Sequence, residues 1–187
     1  NEWTRLLGAS ASDNGRTLTT GNDGSIYVAG YTEMGDVSYD IDPTISKFNS
    51  EGTKIWTRVL PSSSVDDDAE ALTTGIDGSI YIAGFTRGDF DGQTFNGGAS
   101  DAFISKFNPD GTKEWTKLLG SDSSEWVSGS TTGNDGSIYI AGYTSSRSLD
   151  GQTNNGDDEK FVSTTDAFIS KYNPDGTKEW TKLLGSD

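Results

Sequence analysis

The chain has 187 residues, the length of one domain or of part of a longer array, and only 31% of them are hydrophobic. Its 24 glycines point to many turns, while an 11% aromatic share with five tryptophans excludes a disordered tail. A net charge of −15 excludes a nucleic-acid partner, and the lack of Cys and His removes disulfides, thiolate metal sites and the commonest general base.

An acidic surface suits solubility, hard cations or a salty exterior. No apolar run is long enough to span a bilayer. The first residue is Asn1 rather than Met, with no signal-peptide pattern, so a processed chain or a piece of a longer one is expected.

In chain order, residues 1–10 carry "EWTRLL" and read as the last strand of a preceding unit. Its motif, Trp-Thr-Arg/Lys-x-Leu, returns, so that tryptophan stands at 3, 56, 115 and 180, spaced 53, 59 and 65 residues apart. Three units follow, over 11–62, 63–121 and 122–187. Each opens on a short strand, "LTT" at Leu18 and Leu72, with Ser130 in place of the leucine in the third. A Gly-x-Asp-Gly turn holding Asp23, Asp77 or Asp135 then leads into "SIYIAGYT" and its variants, which alternate with period two. That alternation puts Ile138 and Ile140 on one face and Tyr139 and Ala141 on the other.

A loop of variable length follows, and then "ISKFN" or "ISKYN" from Ile45, Ile104 and Ile169. In the last two units "NPDGT" makes a tight turn, with Pro109 setting φ and Gly111 supplying positive φ. "KEWTKLL" returns as the fourth strand. No window has a helical period.

Four antiparallel strands per unit predict an all-β fold of propeller-type four-stranded blades, three in tandem, as a partial propeller or an open repeat array. A lone sheet cannot bury two apolar faces, so aromatic rings must fill the seams between blades. Residues 101–121 and 166–186 are identical except that Phe107 becomes Tyr172, which keeps a ring in such a seam. Trp56, Trp115 and Trp180 are expected to fill seams from the outer strand. Three blades do not close a ring, so further blades of a longer chain or copies of this one must complete it, as a ring or as a filament.

"DAFISKFNPDGTKEWTKLLGS" followed by "TTGNDGSIYIAGYT" resembles the bacterial beta-propeller repeat called the SBBP repeat. The likeness covers essentially all of the chain outside the variable loops. It implies a propeller or propeller-like array in large secreted or surface-attached bacterial proteins, sometimes beside calcium-binding repeats, and no catalytic residues. The first unit departs from the pattern with "DPTISKFNSEGTKIW".

The variable loops hold the candidate site. Both later units carry "DGQTxNG", which aligns Asp91 with Asp150, Asn96 with Asn155, and Asp101 with Asp166. Oxygen donors among glycines suit calcium, although the same side chains also build Asx turns. The first unit has Asp36, Asp40 and Asp42 there but lacks "DGQT". "SVDDDAE", with Asp66, Asp67 and Asp68, reads as a solvated linker between units.

The expected function is a non-catalytic structural or interaction module, extracellular or at the cell surface. A carbohydrate-binding alternative would use Phe90, Gln93 and Gln152 with the loop carboxylates, and extracellular polysaccharide as partner. A propeller glycosidase fragment would need unique carboxylates held in a pocket, whereas these acids recur with the repeat.

Overall fold

A computed structural model of the chain describes residues 4, 12–33, 41–64, 66–154 and 165–185. Every regular element among them is a strand. β1 (Asp13–Thr20), β2 (Ile26–Glu33), β3 (Ile41–Phe48) and β4 (Lys54–Val59) form the first sheet. β5 (Asp68–Thr74), β6 (Ile80–Thr86), β7 (Asp101–Phe107) and β8 (Lys113–Leu119) form the second. In the third, β9 (Glu125–Thr132) and β10 (Ile138–Thr144) are followed by a small ribbon of β11 (Ser148–Leu149) and β12 (Gln152–Thr153). β13 (Asp166–Tyr172) and β14 (Lys178–Leu184) complete that sheet. The expected strand at residues 1–10 lies outside the described residues, apart from Thr4.

Each sheet is an antiparallel meander, and the inner strands β1, β5 and β9 lie side by side in that order. The result is an open propeller-type array with the second sheet in the middle. Period-two alternation gives each strand two faces. Tyr27, Ala29 and Ile45 of the first sheet meet Ile80, Ile82, Phe103 and Phe107 of the second. On the opposite face of the second sheet, Tyr81, Ala83 and Ile104 meet Val127, Ile138, Ile140, Phe168 and Tyr172 of the third. Burying one such Phe or Ile side chain stabilises by about 1.5–3 kcal/mol, so the two seams hold the array together.

The turn between the third and fourth strands of each sheet places glycine at positive φ, 75° at Gly52, 84° at Gly111 and 85° at Gly176. Gly52 closes the same turn without a proline, Asn49 N–H donating to the Thr53 carbonyl at 3.0 Å. Glycine therefore sets this turn, and proline stiffens it.

Phe107 and Tyr172 occupy equivalent seam positions, 2% and 1% exposed. The Tyr172 hydroxyl is buried with no hydrogen-bond partner, and burial raises its pKa. A buried, unsatisfied hydroxyl costs about 1–3 kcal/mol. Tyr172→Phe is therefore expected to raise the urea unfolding free energy by about 1 kcal/mol. Any loss of stability on that change would contradict the assignment.

Candidate functional site

The "DGQT" loops are turns. Asp91 and Gly92 take φ of 53° and 77°, and Asp150 and Gly151 take 52° and 74°, two successive positive values as in a type I′ hairpin. Phe90 and Gln93 exchange backbone hydrogen bonds of 3.0 and 2.8 Å across the first loop, and Leu149 pairs with Gln152 across the second. The signal was present in the sequence, since Asp-Gly is the strongest short hairpin cue.

The turn fixes what its side chains do. Phe90, which the carbohydrate-binding alternative would use, is fully buried in the core with its ring 4.5 Å from that of Phe103. Leu149 is equally buried at the matching place. The Asp91 carboxylate accepts from the Lys113 ammonium and the Thr116 hydroxyl. Asp150 pairs with Lys178 at 2.6 Å. Two of the carboxylates that the sequence offers to a hard cation, Asp91 and Asp150, thus each face a lysine. Gln93 and Gln152 sit half-buried at the hairpin ends.

Asn96 and Asp101 do come together, the backbone N–H and side-chain amide of Asn96 donating to Asp101 Oδ2 at 2.7 and 2.9 Å. Asp166 holds the same place in the third sheet and is buried, while Asn155, Asp36 and Asp40 lie outside the described residues. Among the described residues no group of three acidic side chains converges on a point where a metal would sit.

Asp23, Asp77 and Asp135 cap their turns, each accepting the N–H of the serine two residues on at 3.0 Å. They pair with Lys47, Lys106 and Lys171 at 3.2, 3.7 and 3.6 Å. Asp67 and Glu125, at the start of the inner strands, are buried. Arg87 N–H donates to Asp67 at 2.8 Å, and the Thr144 hydroxyl to Glu125 at 2.7 Å.

Burial lifts the Asp101 carboxyl from the ordinary 3.8 to about 6, with Glu125 adding to the rise and the Asn96 bonds opposing it. The folded chain therefore keeps this proton at pH values where the unfolded chain has lost it. The contribution to stability is complete below 3.8 and is lost as pH rises towards about 6. Asp101→Asn is expected to flatten the fall in melting temperature over that interval relative to the parent. Parallel curves would rule the assignment out.

A cleft of about 560 Å³ opens along the inner strands of the three sheets, lined among others by Arg16 and Tyr31 of the first, Asp68 and Glu70 of the second and Trp126 of the third. Arg16 Nε donates to Asp68 Oδ2 at 2.9 Å, and the guanidinium lies 5.6 Å from the Tyr31 ring centre. Burial pushes the Asp68 carboxyl up to about 6, against the pull of Arg16. Asp66, also on the cleft, pairs with Arg87 at 3.0 Å. Arg87 also lies 5.8 Å from the Trp126 ring centre. "SVDDDAE" is thus no simple solvated linker, because Asp67 and Asp68 are buried and paired. Trp126 is the one tryptophan outside the Trp-Thr motif, so the repeat does not mark it.

The seams carry a second repeated arrangement. Trp56 Nε1 donates to the Pro109 carbonyl of the next sheet at 3.3 Å, and Trp115 Nε1 to the Pro174 carbonyl at 3.2 Å. Each tryptophan leans on a tyrosine of its own sheet, Tyr27 with Trp56 and Tyr81 with Trp115, at centroid distances of 6.0 and 5.9 Å.

Comparison with known proteins agrees with this architecture. An uncharacterized WD repeat-containing protein, L264, of Acanthamoeba polyphaga mimivirus is 23% identical over 98% of this chain and 16% of its own length. The regulatory protein FlaEY of Caulobacter vibrioides is 28% identical over 77% of this chain and 17% of its own length. The chain therefore spans about a sixth of the length of these curated relatives. The SBBP family model, a beta-propeller repeat, matches residues 2–33, so the repeat that the sequence resembles is found by its own model in a chain of three propeller-type sheets.

Proposed function

We propose that this chain is a non-catalytic structural and interaction module of a secreted or surface-attached bacterial protein, its blades stacking on further blades of a longer chain or on copies of itself. The SBBP match and the WD-repeat relative support a repeat module, and the net charge of −15 suits an exterior setting. Among the described residues, Asp91 and Asp150 of the loops and Asp23, Asp77 and Asp135 of the turns are engaged by lysines or backbone amides, which supports a structural use of them.

One observation carries the reading. Leu60, just past the fourth strand of the first unit, and Leu119, at the end of that of the second, are 1% and 4% exposed, whereas their counterpart Leu184 in the third is 65% exposed. Ala29 and Ala83 are buried while Ala141 is exposed, and Tyr139 and Ile169 are more open than Tyr81 and Ile104. Side chains that are buried where a next sheet exists are uncovered where none does, and an exposed apolar face of this kind marks a contact surface.

Adding a second copy of residues 122–185 after residue 185 tests it. Covering Leu184 and Tyr139 should raise the unfolding free energy by about 2 kcal/mol or more. An added blade that leaves the urea midpoint and the unfolding free energy unchanged would refute the stacking function.

A further inference from the structure

Each seam is locked by the same small assembly, and the third copy of that assembly is empty. In the first seam Trp56 donates to the Pro109 carbonyl, and Arg58 Nε donates to the Gly111 carbonyl at 2.9 Å. A Cβ on Gly111 would lie 3.0 Å from the Trp56 ring, and one on Gly176 would lie 2.9 Å from the Trp115 ring. The glycine is needed twice over, for its positive φ and because its α-carbon sits against the indole. The second seam repeats the donor, the carbonyl and the glycine, with Lys117 in place of Arg58.

The third sheet keeps the receiving half of this assembly. Tyr139 and Trp180 lie 6.2 Å apart at 54°, against 5.9 Å and 49° for Tyr81 and Trp115. Lys171 reaches Asp135 at 3.6 Å and Glu179 at 2.8 Å, and Lys106 reaches Asp77 and Glu114 at 3.7 and 2.8 Å. Lys182 stands where Arg58 and Lys117 stand in the occupied copies. Rings and ion pairs are set as in the filled seam, so little ordering remains to be done on binding.

We propose that Tyr139 and Trp180 form a preformed socket for the Asn-Pro-Asp-Gly turn of a further blade of the same repeat. The inference rests on the stacking function proposed above and names the element that is recognised. The Trp180 indole N–H donates to the proline carbonyl of the incoming turn, its glycine lies on the indole, and its acidic residue lies beside Lys182. The turn glycine selects the partner, because any side chain there meets the ring.

Indole N–H exchange read by NMR tests this, first on the chain itself and then on the chain extended by a second copy of residues 122–185. In the chain itself, Trp180 should exchange at least about tenfold faster than Trp56 and Trp115, whose N–H groups are bonded. In the extended chain it should slow to their rate. Trp180→Phe, which keeps the ring and loses the donor, should lower the docked fraction of the added blade about fivefold. Alanine in place of the added copy of Gly176 should prevent docking. A Trp180 already slow in the chain itself, or an added blade that docks equally well with that alanine, would overturn the socket. An added blade that stabilises the chain while Trp180 stays fast would also overturn it and leave stacking intact. An added blade that brings no stability defeats the stacking reading itself.

Discussion

Phe103→Ala is expected to lower the unfolding free energy by about 3–5 kcal/mol. Phe103 is completely buried in the seam between the first and second sheets. It pairs with Gly84 on one neighbouring strand and Leu118 on the other. Its ring packs against Phe90, which the Asp-Gly hairpin drives into the same seam. With backbone on one side and a rigid ring on the other, the site cannot collapse around the missing phenyl group, so most of the cavity remains.

Thr44 stands at the same register in the first sheet, paired with Gly30, and is only half-buried. Thr44→Ala should therefore change stability by no more than about 0.5 kcal/mol. Urea unfolding of both variants reads the contrast. A Phe103→Ala loss below about 1 kcal/mol would show that the seams are not the core.

The second large effect is expected at a glycine. A Cβ at Gly84 would lie 1.9 Å from the Asp68 carbonyl oxygen and 2.9 Å from the Ala69 α-carbon. Both are backbone atoms, so no rotamer change relieves the clash. The inner strand bulges here, its register shifting between Ala69 and Ala71, and this pushes a carbonyl into the space above the glycine. Gly30 and Gly142 meet the carbonyls of Asn14 and Trp126 in the same way, at 1.9 and 1.8 Å. Gly84→Ala should cost about 3 kcal/mol or more, because one strand must move away from another. Gly129 has nothing within 4 Å of its Cβ position and is the natural comparison. Alanine there should be neutral or stabilising by up to about 1 kcal/mol. Equal melting temperatures for the two variants would refute the bulge explanation.

The Ala-Gly pair recurs in all three units, and the sequence alone offers no reason for it. The reason lies in a carbonyl that arrives from the neighbouring strand, sixteen residues earlier in each unit. The same limit governs the loop carboxylates. Asp91, Asn96 and Asp101 read together as an oxygen-rich cluster, but Asp91 is claimed by Lys113, which lies 22 residues further along and reaches it only when β8 packs beside β7. The Asp-Gly dipeptide specifies a hairpin, and a hairpin at that point turns Phe90 inwards.

By itself the sequence determined the three repeats, the all-strand architecture, the glycine turns and the faces on which the rings stand. These follow from alternation and turn chemistry, which act over a few residues and need no partner. Tertiary structure alone decided which carboxylates are paired and which of the repeated side chains are covered. Leu119 and Leu184 sit in the same string of residues, yet one is 4% exposed and the other 65%. Local conformation is a property of a segment, whereas burial and ion pairing depend on what else has been brought beside it.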